Sequence, residues 1–205
     1  MDTSTVPARA AALAGALATV GVVGVVAGEV TIGTDFMETT AAQLLGWCGF
    51  AAACALVLGV AGLRDHLTDA REQGWAAVLL LGTAATTGAA ATLALVVPAL
   101  AERAPDVATD PPAAVPATFI LSGVVMGISG IAMTLRIRSA VPSLPRPVFL
   151  LMLVGSVVAI LPLPSRFFLL AFGIAALLGH LGTVHGTHLT SGARVHPDTA
   201  GTLAP

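Results

Sequence analysis

The sequence predicts an all-α integral membrane protein: a six-transmembrane-helix bundle built from three helical hairpins, with the N-terminus and C-terminus cytoplasmic. Three observations predict it. Of 205 residues, 56% are hydrophobic and only 10% are charged, against roughly 25% charged in soluble domains. The apolar residues fall into six long runs, each bounded by charge, proline or both, and about 20 apolar residues are needed per span. The arginines concentrate in alternate connections, which sets direction, because basic residues in short loops stay on the cytoplasmic side.

The first run is Ala10–Val30. Val25, Val26 and Ala27 imitate a signal cleavage site, but the run is too long for a signal and the region before it has one Arg offset by Asp2; an uncleaved span is expected. The second run, Ala41–Leu63, holds Cys48 and Cys54. Six residues apart on a helix, they sit about 9 Å apart along the axis and cannot bridge. They read as small buried hydrophobes.

The remaining runs are Trp75–Ala101, Ala117–Leu135, Pro147–Leu163 and Phe167–Leu189, the fifth being short for a hydrocarbon core of about 30 Å. Residues 1–190 form one transmembrane domain, and 191–205 read as a disordered cytoplasmic tail. Trp47 and Trp75 close their runs as interfacial anchors. Short connections make successive spans antiparallel neighbours.

With the N-terminus inside, Arg9, Arg64, Arg71, Arg136, Arg138, Arg146 and Arg194 are cytoplasmic, and only Arg103 and Arg166 lie outside. The outer side is acidic, with Glu29, Asp35, Glu38, Glu102, Asp106 and Asp110. All the basic residues are Arg, and Lys, Tyr and Asn are absent from a chain rich in Ala, Gly, Val and Leu. This composition fits a high-GC bacterial genome, so the expected location is the bacterial cytoplasmic membrane. A net charge of −2 without a basic cluster excludes nucleic acid as a partner. The lipid bilayer is the expected partner, with a protein partner or a second copy through Gly-rich helix faces.

Spans two, four and six each carry Gly-x-x-Gly near their cytoplasmic ends, at Gly59 and Gly62, Gly127 and Gly130, and Gly179 and Gly182. Glycines three apart share a helix face and let backbones approach where lipid removes the hydrophobic drive. They are read as packing residues joining the three hairpins.

Gly127-Ile128-Ser129-Gly130 on span four and Gly179-His180-Leu181-Gly182 on span six resemble the two catalytic motifs of intramembrane serine proteases of the rhomboid class. That resemblance implies Ser129 as nucleophile and His180 as the base that activates it. It covers these two stretches alone. The first outer connection is about ten residues, span two lacks His and the chain has no Asn, whereas the class has a long first outer loop and His and Asn oxyanion donors. Ala61 also takes the place of Ser129 in the repeat on span two, which favours packing over catalysis.

His180, His185 and His188 form a second candidate, as metal or haem ligands. His180 lies about 140° around the helix from His185, and no Cys or carboxylate is near in sequence, so a polar helix end is preferred and no metal or cofactor is expected. A third candidate is a polar lining of Thr83, Thr87 and Ser122, with Thr86 and Thr92 on the same span. Thr hydroxyls in membrane helices commonly bond back to their own helix, and no charge falls in the middle of a span. Glu29 and Arg166 lie at similar depth and would pair if spans one and six were neighbours.

The expected function is therefore non-enzymatic: a small permease-like protein, or a membrane subunit or scaffold. The alternatives are a serine protease using Ser129 and His180, and a His-based metal or haem binder.

Overall fold

The computed structural model describes residues 5–33, 36, 39–92, 94, 113–161 and 166–192, with the side chains of all but 115 and 184–192. The described residues form six helices: α1 Thr5–Ile32, α2 Thr40–His66, α3 Ala70–Ala91, α4 Ala114–Ala140, α5 Arg146–Val158 and α6 Phe168–Gly192. The protein is all-helical there. α1, α2, α3 and the Pro116–Ala140 part of α4 are long and apolar enough to cross a membrane. α5 and the Phe168–Thr183 part of α6 are apolar but shorter.

Local chemistry sets the boundaries. α1 ends at Gly33, whose φ of 84° is the left-handed geometry that glycine adopts without strain, and the Gly33 amide donates to Glu29 O at 3.0 Å. Thr39 caps α2 by accepting from the Ala42 amide at 3.2 Å. Asp69 caps α3 by accepting from the Arg71 and Glu72 amides at 2.7 and 3.3 Å. Arg138 Nη1 donates to Leu144 O at 2.7 Å and its guanidinium lies 5.8 Å from the Phe149 ring centroid, fixing the turn from α4 to α5.

α5 stops at Val158, five residues short of the Leu163 expected from hydropathy. Pro162 explains this: it has no N–H to donate and it pushes the residue before it out of the α region. The chain tightens into a turn instead, with Ile160 N donating to Val157 O and Leu161 N to Val158 O. At the other end, α6 takes in Ser191 and Gly192, the first two residues of the expected tail. The rest of that tail, and residues 93 and 95–101 of the expected third span, lie outside the described residues.

Each helix packs on its neighbour in sequence, and α6 returns to pack on α1 and α2. On α1 the packing inverts the pattern of a soluble protein. The inward residues of α1 are small, Ala11, Ala14, Gly15, Ala18, Gly21 and Gly28, while Leu13, Val20, Val23, Val26 and Val30 are more than half exposed. Large apolar side chains facing outward and small ones facing inward suit helices that associate in lipid.

A close backbone-to-backbone approach joins α5 to α6. A Cβ on Gly155 would meet the backbone of Leu169 and Leu170, and one on Gly173 would come within 3.0 Å of Met152 Cα. Likewise, a Cβ on Gly82 of α3 would lie 2.9 Å from Met126 N of α4. Cys48 and Cys54 are both free thiols, and Cys54 is exposed.

Candidate functional site

The break between α5 and α6 brings a charge into the bundle. Arg166, two residues before α6, is 1% exposed and is among the largest fully buried side chains described. Its Nη2 donates to Phe119 O and, at 2.8 Å, to Ser122 Oγ. The guanidinium carbon stands 4.2 Å from the centroid of the Phe119 ring, within cation–π range. Gly123 makes room for it, because a Cβ there would collide with Cζ and Nη1 of Arg166 and lie 2.7 Å from Ala159 O.

Nε and Nη1 of Arg166 are buried with no hydrogen-bond partner. Nη2 therefore uses its two N–H groups on α4, and three of the five guanidinium donors are left over. No carboxylate among the described residues pairs with Arg166. α1 and α6 are neighbours, yet Glu29 is exposed and the guanidinium is turned toward α4 instead. Asp35, Glu38, Glu102, Asp106 and Asp110 lie outside the described residues.

The sequence counts Arg166 among the outer residues at the depth of Glu29; the structure adds that its side chain is buried against α4. Phe119, Ser122 and Gly123 lie five to nine residues past Ala114, the first of α4, which is about 8 to 14 Å along its axis. The reason is the length of α5: its 13 residues rise only about 20 Å. The turn that follows therefore sits against the flank of α4 and not beyond its end. Hydropathy missed this because a charge beside a proline reads as a span boundary. The signal that could have found it was the pair Pro162 and Pro164 inside an already short run.

Ser129 is 1% exposed, and its Oγ donates to Val125 O at 2.7 Å and Met126 O at 3.1 Å. His180 has a buried Nε2 with no partner. The two are not hydrogen-bonded to each other. The helices are also staggered. A Cβ on Gly130, next to Ser129, would reach Leu170 Cδ1 at 3.8 Å, and Leu170 is ten residues from His180, about 15 Å along α6.

The polar lining residues are likewise spent on their own helices. Thr83 Oγ1 donates to Leu80 O at 2.8 Å, Thr86 to Gly82 O at 2.9 Å and Thr87 to Thr83 O at 2.9 Å. Ser156 and Thr134 each donate to the carbonyl four residues back at 2.7 Å. Ser122 alone does more: it donates to Phe119 O at 2.9 Å and accepts from Arg166.

Among the described residues no three His, Cys, Asp or Glu side chains gather as a metal site; the side chains of His185 and His188 lie outside them. Of the repeat glycines, Gly59 and Gly62 of α2 press on Ala11 and Pro7 of α1, and Gly127 and Gly130 of α4 press on Ile160 and Ser156. Gly179 faces open space, and Gly182 is half-buried. The chain matches no protein-family model, no curated protein and no solved structure.

Proposed function

We propose that this protein is a small permease-like membrane protein of six spans, with both termini cytoplasmic, that works without covalent catalysis. The observation that carries the reading is Arg166, a buried charge with unused donors in the turn just before α6. Ionisable groups at membrane depth are costly and mark function by default. Irregular backbone at that depth is tolerated where protein buries it or where it lines a cavity, and transporters place their sites at such broken helices. The arginine bias supports the orientation.

A second reading, a membrane subunit or scaffold, draws support from the hydroxyls. Thr83, Thr86, Ser129, Thr134 and Ser156 are buried and bonded to their own helices, as in an interior made for packing. Cysteine accessibility separates the two. In a background with Cys48→Ala and Cys54→Ala, single cysteines are placed at Thr83, Thr87, Ser122 and Ser129 and exposed to a water-soluble maleimide. The permease-like reading expects Ser122→Cys to react faster than the lipid-facing control Ile128→Cys. If none of the four exceeds that control, the subunit reading replaces it.

A further inference from the structure

We propose that Arg166 is the anchoring cation of a binding site for one oxyanion group, a carboxylate or a phosphate, beside Phe119 and Ser122 of α4 and the first turn of α6. The proposal gives the permease-like reading a substrate class and rests on that reading for the route by which the anion arrives. Three observations point to a ligand and away from a purely structural arginine.

First, the positive charge is 1% exposed and no described carboxylate neutralises it, an arrangement that is expensive unless something else supplies the negative charge. Second, the side chain is held in place by groups that do not satisfy it. Phe119 O, Ser122 Oγ and the Phe119 ring fix one edge and one face of the guanidinium, while Nε and both N–H groups of Nη1 have no acceptor. A fixed guanidinium with free N–H groups is what carboxylate and phosphate oxygens recognise best.

Third, α6 begins two residues later, and the only acceptor described for its opening turn is Phe167 O, which takes the Ala171 amide. The amides before Ala171 have no intrahelical partner by helix geometry, and a helix of 25 residues adds a favourable potential for an anion at that end. Gly123 lets the guanidinium seat directly against α4, where any side chain would displace it. A neutral ligand would leave the charge unmatched, and a cation would be repelled.

The test uses the purified full-length chain in an uncharged detergent. The probes are inorganic phosphate and acetate, read by titration calorimetry and thermal unfolding against chloride at equal ionic strength. Phosphatidylglycerol against phosphatidylcholine is read by native mass spectrometry. Saturable binding of at least one oxyanion probe is expected, weakened at least about tenfold in Arg166→Gln and unchanged in Arg138→Gln. Arg166→Lys should bind more weakly than wild type, because it keeps the charge but loses the planar fork.

Binding of phosphate or acetate identifies the group as part of a free solute. Retention of phosphatidylglycerol that neither solute displaces identifies it as a lipid headgroup; both support the site. The proposal is overturned if no probe binds wild type, or if a folded Arg166→Gln binds as wild type does. Should Arg166→Gln fail to fold, affinity in Arg166→Lys equal to wild type overturns it. Loss of the site with Ser122→Cys still reactive would sink this proposal alone and leave the permease-like reading standing.

Discussion

Arg166 Nη2 and Ser122 Oγ meet at 2.8 Å, and through that bond the turn before α6 is fastened to the first third of α4. The serine hydroxyl is itself oriented by donating to Phe119 O, so one short chain of hydrogen bonds links a turn to a helix 44 residues away in sequence. Ser122→Ala should therefore cost about 1–3 kcal/mol, since it strips a partner from an already under-satisfied buried cation. Ser129→Ala, whose hydroxyl bonds only to its own helix, should change stability by under about 0.5 kcal/mol. Thermal unfolding of both variants in the same detergent makes the comparison.

The hydroxyl of Ser129 bears on the protease reading. Its proton is directed at Val125 O, and no base among the described residues is hydrogen-bonded to it. A serine-reactive fluorophosphonate should label wild type and Ser129→Ala equally or not at all. Labelling that disappears in Ser129→Ala would restore the protease reading.

The glycines divide by what they touch. Gly155→Ala would drive a methyl group into the Leu170 backbone, which cannot rotate away as a side chain can, so a loss of about 1–3 kcal/mol is expected. Gly179→Ala meets nothing within 4 Å and should stabilise by about 0.5–1 kcal/mol through helix propensity. Denaturation of the two variants in parallel, read by circular dichroism, tests both signs at once.

Much of the fold was legible because bilayer physics writes it in runs of hydropathy. α1 and α2 extend only a few residues beyond Ala10–Val30 and Ala41–Leu63, since Gly33, Thr39 and the Arg64–His66 boundary punctuate the sequence where the helices stop. The fifth run was less legible: Pro162 ends its helix through a local steric effect that a hydropathy window averages away. The site was not legible for the same reason. Whether Arg166 is solvated or buried depends on how far α5 lifts the turn along α4, a tertiary quantity. Sequence reasoning singled out Ser129 from its glycine neighbours and offered Arg166 a pairing with Glu29, whereas the structure bonds the serine to its own helix and turns the arginine to Ser122.

The central claim is that all six helices are spans, and α5 is its weakest point at 13 residues. Alkaline phosphatase and green fluorescent protein fused in turn after Leu161 and after Gly192, in a bacterial host, test it most directly. Six spans predict an active phosphatase and dark fluorescent protein after Leu161, with the reverse after Gly192. Fluorescence and an inactive phosphatase at both junctions would make α5 and α6 a re-entrant pair and contradict the six-span account.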